Sequence, residues 1–287
     1  MNTFRSFNPD EQSIKDRHQM LIGSIGPRPI ALTTSINFNN ELNLAPFSFH
    51  NILSSNPPII GISPAISGRT GNPKDTLNNI LSTKVFTVSI VNHSMVEQMN
   101  LCAVEFQPEI NEFDVSGFTE FSPKIVSTPG VKESPVILEC KLKDYIKLGS
   151  KPASGNLILG EVVHIHLNND IIDQGGHIDP NKMDQVGRLG LNWYTRANQG
   201  LFDLATPRYK PMGFNKIPDF IINNSSFTKE LLIKLAYFDS DKELPSNDLY
   251  KALSKQDLYE KCIQSINSDE IDLAWAIINF LSSCINE

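Results

Sequence analysis

The sequence predicts a mainly β body followed by a helical carboxy-terminal extension. Up to about residue 212, short apolar runs rich in β-branched residues are bounded by Gly and Pro, a pattern typical of strands. Few helical segments separate these runs. Because the regular alternation of a doubly wound sheet is missing, a barrel or sandwich with a few crossover helices fits better. From residue 213 onward, apolar residues recur at helical spacing. We therefore divide the chain into a β-rich domain, residues 1–212, and a helical extension, residues 213–287.

Five apolar runs carry the strand prediction in the β-rich domain. They are IALTTS (30–35), IIGIS (59–63), VFTVSIV (85–91), VILECKLKDYI (136–146) and LILGEVVHIHL (157–167). Helices are predicted after Asn72-Pro73 and from about Ser94 to Glu105. Asn is a good N-cap and Pro fits the first helical position, so Asn72 and Pro73 should begin the first of these helices.

The extension contains three helical patterns and no motif with recognisable chemistry. They begin at Phe227, at Ser246 and at Ser268, with a cap expected at Ser246 or Asn247 and with three acidic residues after Ser268. Residues 213–287 carry a net charge of −5. Their apolar stripe should be buried, and we expect it to pack on the β-rich body or on a second copy of the chain.

Composition excludes several classes of function. The 287 residues include 25 Lys and Arg against 32 Asp and Glu, a net charge of −7, so a dedicated nucleic-acid binder is not expected. No apolar run is long enough to span a bilayer, and the amino terminus has no apolar signal core, which favours a cytoplasmic protein with four reduced cysteines. The motifs of Rossmann dehydrogenases, P-loop NTPases, zincins and α/β-hydrolases are absent from the sequence.

The segment GSIGPRP (23–29) places an arginine between two prolines. Pro27 and Pro29 restrict the backbone around Arg28, so its guanidinium group is well placed to bind a phosphate or a carboxylate. An arginine in a turn, paired with a surface acid, explains the same pattern. Thr33 and Thr34 follow as neighbours on a strand, so their side chains should lie on opposite faces.

The segment NLAPFSFHN (43–51) could receive a flat ligand. Ala45 and Pro46 are compact and leave a backbone carbonyl open, while Asn43 and Ser48 offer donors and acceptors to a polar ring edge. An ordinary strand and turn would look the same.

The segment GNPKDT (71–76) indicates an anion site at the start of a helix. Lys74 and Thr76 fall in its first turn, beside backbone N–H groups that have no helical partner. Asp75 could serve the cap or orient Lys74, and a well-capped helix with no ligand is an equally simple interpretation. In RLGLNWY (188–194), Arg188 and Tyr194 could contact a ring or close the core.

Taken together and in this order, these segments resemble the flavin reductase-like, FMN-binding split-barrel family, which includes flavoredoxin. ILECKL and LILGEVVHIHL also match, so the resemblance covers roughly residues 15–196. It implies a six-stranded split β-barrel of Greek-key character, a homodimer with FMN near its interface, and electron transfer from NAD(P)H to the flavin and on to an acceptor.

The resemblance also implies roles for individual residues. Arg28, Lys74 and Thr76 would hold the phosphate, Asp75 would support Lys74, and Arg188 with Tyr194 would close the site. The full candidate set for the cofactor is Arg28, Pro29, Thr33, Thr34, Asn43, Ala45, Pro46, Ser48, Asn51, Lys74, Asp75, Thr76, Arg188 and Tyr194. The chain departs from the family at one point, where Gly190 is followed by Leu191 and not by a second glycine.

Two other functions remain open from the sequence. The first is an FMN-binding electron carrier that is reduced by a partner protein and is not itself an enzyme. The second is a metal-dependent hydrolase, since His164 and His166 share one face of a strand and His177 follows them. The predicted FMN chemistry needs no metal and no acid–base triad, because the flavin itself accepts the hydride.

Overall fold

A computed structural model describes residues 3–107, 109–204, 206–245 and 248–286. Its contacts divide the chain into two compact units, Met1–Leu201 and Phe202–Glu287, which we call the β-rich unit and the helical unit. This boundary lies eleven residues before the one expected from the sequence. The reason is pairing within the helical unit, where Met212 N donates to Phe238 O at 2.7 Å and Gly213 N donates to Ala236 O at 2.9 Å.

The described residues form twelve strands, all in the β-rich unit. They are β1 Arg28–Pro29, β2 Ala31–Ile36, β3 Leu42–Phe47, β4 His50–Ser55, β5 Pro58–Ile62, β6 Val85–Ile90, β7 Glu120–Phe121, β8 Gly130–Val131, β9 Val136–Lys147, β10 Asn156–Leu167, β11 Val186–Arg188 and β12 Tyr194–Arg196. Each of the five apolar runs gives one strand of a large sheet, so the mainly β prediction is confirmed.

The large sheet has seven antiparallel strands in the order β3-β2-β6-β9-β10-β5-β4. Two smaller sheets accompany it, β1-β11-β12 and β7-β8. Among the strands that the structure describes, the outer strands β3 and β4 do not pair with each other, so the sheet does not form a closed barrel. The six-stranded split barrel of Greek-key character remains a prediction. The long β9–β10 ribbon packs tightly on β6, since a Cβ added to Gly160 would lie 2.3 Å from the Phe86 ring.

Nine α-helices lie in the described residues. They are α1 Ile14–Ser24, α2 Asp75–Thr83, α3 Val96–Leu101, α4 Glu112–Ser116, α5 Pro180–Met183, α6 Asp219–Ile222, α7 Lys229–Ala236, α8 Lys255–Asn267 and α9 Ile271–Asn286. Short 3₁₀ helices cover Pro9–Glu11, His93–Met95, Asn169–Ile171, Phe214–Lys216 and Asp248–Ala252. None of the helices described is both long enough and apolar enough to cross a lipid bilayer.

Two helices of the β-rich unit differ from the prediction. Helix α2 begins at Asp75 with Lys74 as its N-cap residue, and no side chain caps it, so Asn72 does not have the expected role. The helix expected from Ser94 to Glu105 is shorter: α3 ends at Leu101, and residues 102–107 have no regular structure beyond a turn.

The helical unit differs in its start signals. Ser268 ends α8 and does not begin α9, which starts at Ile271 with Asp272 in its first turn. Helix α8 itself was not predicted, although Ser254 and Asp257 form a capping box at its start. The caps expected at Ser246 or Asn247 lie outside the described residues.

The apolar stripe of the helical unit is buried within that unit. Leu231 and Leu235 of α7 share one buried cluster with Trp275, Ile278 and Leu281 of α9. The unit therefore has its own hydrophobic core. Contrary to the expectation from the sequence, these side chains are covered without the β-rich body or a second copy of the chain.

The interior of the β-rich unit lies on both faces of β2, which is buried along its whole length. Ala31 belongs to a cluster with α2 and the β9–β10 ribbon, whereas Leu32 belongs to one with α3 and α4. Strand β2 thereby fixes β3 and α2 beside each other, where the candidate site lies.

Candidate functional site

Two adjoining clefts lie in the β-rich unit. The first, of about 350 Å³, is lined by β3, the start of α2 and the segment 102–107. The second, of about 430 Å³, is lined by the end of β3, by residues 63–68 and by α1. The clefts share five lining residues: Pro46, Phe47, Ser67, Lys74 and Glu105. Each volume falls in the range of small-molecule sites.

A carboxylate bridges two cations where the clefts meet. Lys74 Nζ donates to Glu105 Oε1, and Arg69 Nη2 donates to Glu105 Oε2 at 2.6 Å. The hydrogen bond from Lys74 is the main cause that lowers the pKa of Glu105, with Arg69 adding to it. Glu105 is therefore ionised at neutral pH. The carboxylate that holds Lys74 is thus Glu105, and not Asp75 as the sequence suggested.

Polar side chains form a connected row that ends in the first cleft, where Asn43, Thr76 and Glu112 line its wall. Asn79 Nδ2 donates to Ser35 Oγ at 3.2 Å, and Ser35 Oγ donates to Asn43 Oδ1 at 3.3 Å. Thr76 Oγ1 also donates to Asn43 Oδ1, at 2.6 Å, and Asn43 Nδ2 donates to Glu112 Oε1 at 3.1 Å. Strand pairing of Ser35 with Asn43 places β2 and β3 so that both side chains face α2.

Glu112 is a buried carboxylate at the end of this row. Its second oxygen, Oε2, accepts from Leu44 N at 2.9 Å, and only 5% of the residue is exposed. Burial raises the pKa of Glu112, and the nearby charge of Asp75 adds to the increase. A buried carboxyl group with a raised pKa, placed in a cleft, is typical of a functional site.

The Arg28 guanidinium group is hydrogen-bonded to backbone carbonyl groups in the structure, and its expected contact with a phosphate remains a prediction. Its Nη1 donates to Ile22 O at 2.7 Å and to Ile25 O at 2.5 Å, and its Nη2 donates to Leu189 O at 3.0 Å. The guanidinium group therefore ties the end of α1 to the loop after β11. Burial of the guanidinium group lowers the pKa of Arg28, and the nearby positive charge of Arg188 lowers it further. Arg28 also lines the second cleft, and its buried Nε has no hydrogen-bond partner.

Arg188 and Tyr194 face each other across the β11–β12 hairpin. The Arg188 guanidinium carbon lies 4.4 Å from the centroid of the Tyr194 ring, and Arg188 Nη2 donates to Leu191 O at 2.6 Å. Leu191 has a positive φ of 53°, a backbone conformation that favours glycine. A Cβ at Gly190 would lie 3.0 Å from the Cα of Gly23, so this glycine does permit a close backbone approach.

The clefts bring together nine of the fourteen predicted cofactor residues. They are Arg28, Asn43, Ala45, Pro46, Ser48, Lys74, Asp75, Thr76 and Arg188. The other five do not line either cleft: Thr33 and Thr34 are fully buried in β2, Asn51 is exposed on β4, and Pro29 and Tyr194 are half-buried. Their contact with a cofactor remains a prediction.

Sequence reasoning missed Arg69, Glu105 and Glu112. Each lies in a segment that gave no motif, and their neighbours in space are 31 to 69 positions away in the chain. The only local signal was Asn111, a residue type that often precedes a helix and that caps α4 just before Glu112.

The three histidines of the hydrolase hypothesis take different partners. His166 Nε2 bonds to Glu139 Oε1 at 2.6 Å, with the His164 ring beside it, whereas His177 lies 3.7 Å from Asp173 Oδ1. In the part of the chain that the structure describes, no group of three His, Cys, Asp or Glu side chains could hold a metal ion.

Comparison with known proteins identifies the family. Residues 24–199 match the model of the flavin reductase like domain, which is more than half of the chain. The chain belongs to the flavin reductase-like family. This confirms the resemblance given by the sequence motifs. The match ends two residues before the boundary between the β-rich and helical units.

Three similar proteins each match about 70% of this chain. An uncharacterized protein of Halalkalibacterium halodurans is 38% identical over 205 residues, 70% of this chain and 95% of that protein. The crystal structure of nitrilotriacetate monooxygenase component B from Bacillus cereus is 34% identical, with a TM-score of 0.67 over 71% of this chain and all of that chain. The 2-nitrobenzoate 2-nitroreductase of Pseudomonas fluorescens is 28% identical, with a TM-score of 0.64 over 72% and 98%.

Proposed function

We propose that this protein is an FMN-binding oxidoreductase that transfers electrons from NAD(P)H to the flavin and on to an acceptor. Family membership supports flavin reductase-like activity. The observation that carries the choice of a phosphorylated flavin is the cationic junction between the two clefts. Arg69 and Lys74 lie there beside the start of α2, which no side chain caps.

The donors at this junction suit a phosphate group. Lys74 is the N-cap residue of α2, and the first backbone N–H groups of a helix attract anions. Thr76, in the same turn, lines the first cleft, and its hydroxyl donates to Asn43 Oδ1. Arg69 and Lys74 supply charge-assisted hydrogen bonds, which are stronger than neutral ones.

The remaining cleft surface suits a flat ring with polar edges. Phe47 lines both clefts, and Phe49 and His18 line the second with their ring centroids 6.2 Å apart. Asn43 supplies polar contacts in the first cleft, and Arg28 Nε is a buried donor in the second that lacks an acceptor. Small-molecule sites combine such apolar walls with a few polar groups.

The flavin, when bound, would accept a hydride from a reduced nicotinamide and release the electrons to an acceptor. The protein's own residues then need only to bind and orient the two nucleotides. Cys102, the thiol in the first cleft, is not a nucleophile at neutral pH, because burial raises its pKa to about 11.

The source of the electrons and the molecule that finally accepts them distinguish this proposal from its alternatives. One comparison protein is a component of a monooxygenase and another is a nitroreductase, so reduced flavin could serve a partner enzyme or reduce a nitroaromatic compound directly. Steady-state oxidation of NADH or NADPH in the presence of FMN supports an enzyme. FMN binding without such oxidation would instead support an electron carrier that a partner protein reduces.

The decisive variant is Lys74→Met, which removes the charge and keeps most of the side-chain length. We expect FMN affinity to fall by about 10- to 100-fold, because a charge-assisted contact to a dianion is lost. The stability of the fold should change by less than about 0.5 kcal/mol, since the Lys74 ion pair is partly exposed. Titration of the apo-protein, followed by flavin fluorescence, measures the affinity.

Lys141→Met is the matched control and should bind FMN normally, because Lys141 is an exposed residue of the central strand β9 that lines neither cleft. Equal affinity for FMN in wild type and Lys74→Met would contradict the phosphate assignment. A homodimer and a cytoplasmic location remain predictions from the sequence, and light scattering of the purified protein tests the first of them.

A further inference from the structure

Among the residues that the structure describes, Glu105 forms ion pairs with both cations at the junction of the clefts. Its two carboxylate oxygens are divided between them, with Oε1 on Lys74 and Oε2 on Arg69. Ser67, which lines both clefts, makes a further hydrogen bond that lowers the pKa of Glu105. Glu105 therefore presents a bidentate anion at the place where the proposed function puts a phosphate.

The charges of the first cleft do not favour a dianion while Glu105 is in place. Arg69 and Lys74 line this cleft together with three carboxyl groups, those of Asp75, Glu105 and Glu112. Glu112 is bonded to backbone and Asn43, and Asp75 makes no ion pair with Lys74 in the described structure. Glu105 is thus the carboxylate that competes directly for the two cations.

In the second cleft, too, the negative charge of Glu105 opposes the cations that would attract an anion. Arg28, Lys74 and Arg188 line it, and Glu105 is the only carboxylate among the described residues that do so. Neutralising Glu105 would leave three cations facing this cleft without an opposing charge. A single side chain therefore controls how strongly both clefts attract an anion.

The position of Glu105 also allows its carboxylate to move away from Arg69 and Lys74. It lies on the segment 102–107, which follows α3 without regular structure, and the side chains of Arg69 and Glu105 are 74% and 30% exposed. Ion pairs in water-accessible positions contribute little stability, so an incoming phosphate group can replace this one.

We propose that Glu105 is an internal competitor of the flavin phosphate, and that it makes bound FMN exchangeable. In the ligand-free protein its carboxylate holds Arg69 and Lys74 in position. A phosphate dianion, which has one more charge and one more oxygen, displaces the carboxylate. Breaking the ion pairs of Glu105 costs part of the free energy with which the phosphate binds. The inference rests on the proposed function, and it determines the affinity and exchange rate of the flavin.

The test is a pair of titrations with two flavins that differ only in the phosphate. FMN and riboflavin are added separately to wild type and to Glu105→Gln, which removes the charge and keeps the shape. We expect Glu105→Gln to bind FMN about tenfold more tightly and to release it correspondingly more slowly in stopped-flow dissociation. Riboflavin affinity should stay within about twofold, because it has no phosphate to compete with the carboxylate.

Glu97→Gln is the matched control, since Glu97 is an exposed glutamate on α3 that lines neither cleft. Circular dichroism checks that both variants are folded. Weaker FMN binding by Glu105→Gln would overturn the inference, because Glu105 would then be a positioning residue for Lys74. Equal tightening for both flavins, or no change for either, would overturn it too. Failure of wild type to bind either flavin would refute the proposed function itself.

Discussion

In the β-rich unit lie fifteen of the sixteen buried polar or charged residues of the described chain, whereas the helical unit buries only Ser265. The helical unit has one apolar cluster of eighteen buried residues, assembled from α6 to α9 and the segments that join them. Buried polar groups cost stability unless they are hydrogen-bonded. Four of the fifteen, Arg28, Ser67, Thr76 and Glu112, line the two clefts. The β-rich unit therefore combines buried polar groups with the candidate site, whereas the interior of the helical unit serves mainly its own stability.

The largest effect is expected for Leu235→Ala in the helical unit, which tests whether the two units have separate roles. Leu235 is fully buried in α7, and its carbonyl oxygen accepts from Trp275 Nε1 at 3.0 Å. We expect the unfolding free energy of this unit to fall by about 3 kcal/mol, since a large apolar side chain leaves a cavity. Urea unfolding followed by tryptophan fluorescence measures it, because Trp275 is buried and Trp193 is exposed.

FMN affinity should be unchanged in Leu235→Ala under conditions where the helical unit is folded. Ile233→Ala, on the outer side of the same helix, serves as the control and should be nearly neutral. Loss of FMN binding in Leu235→Ala alone would show that the helical unit contributes to the site, and the comparison would fail.

The second prediction concerns a buried charge in the β-rich unit, that of Glu139. Burial acts to raise its pKa, but hydrogen bonds from His166 and from the backbone N–H groups of Lys124, Val126 and Ile125 outweigh it and lower the pKa to about 2. A carboxyl group with a lowered pKa stabilises the folded state fully above its unfolded pKa of about 4.5. That contribution is lost as the pH falls toward 2.

Glu139→Gln should therefore lower the unfolding free energy at neutral pH by about 3 kcal/mol and flatten its pH dependence below pH 4.5. Urea unfolding at a series of pH values measures both effects. Glu133→Gln is a suitable control, because this exposed carboxylate bonds only to Thr119 N. The interpretation would be refuted by an unchanged acid slope in Glu139→Gln.

The smallest expected effect is at Leu191, where the chain departs from the family pattern. Its positive φ costs a non-glycine residue about 1 kcal/mol, and the exposed side chain contributes little burial in return. Leu191→Gly should therefore raise the unfolding free energy by about 0.5 kcal/mol, after the entropy that glycine adds to the unfolded chain. Leu191→Ala keeps the strained backbone, so an equal gain in that variant would show that strain is not the cause.

The sequence predicted the strands better than the functional contacts, for a physical reason. Five strands of the large sheet are formed by local apolar runs: β2, β5, β6, β9 and β10. Because burial of its apolar side chains stabilises such a run whichever strand it pairs with, the run itself predicts the strand. The start of α2 was displaced by two residues, because the first turn begins after Lys74 and not at the Asn72-Pro73 pair.

Contacts between distant segments could not be predicted in this way. The two prolines around Arg28 correctly marked a restricted arginine, but nothing local says that the carbonyl groups of Ile22, Ile25 and Leu189 take its donors. Glu105, in the irregular segment 102–107, and Lys74, at the start of α2, are brought together by the packing of both segments on β2 and β3. Such pairs are created by the fold, and a single sequence carries no record of them.

The direction of the hydrogen bonds in the polar wall of the first cleft determines which donors and acceptors a ligand meets there. The Asn43 amide directs its NH₂ group toward Glu112 Oε1 and its oxygen toward the hydroxyl groups of Ser35 and Thr76. The hydrogen bonds from Asn79 through Ser35 and Asn43 to Glu112 consequently all run in one direction. Glu112 accepts from both Leu44 N and Asn43 Nδ2 at the end of the row, so the wall is preorganised by its own hydrogen bonds before a ligand arrives.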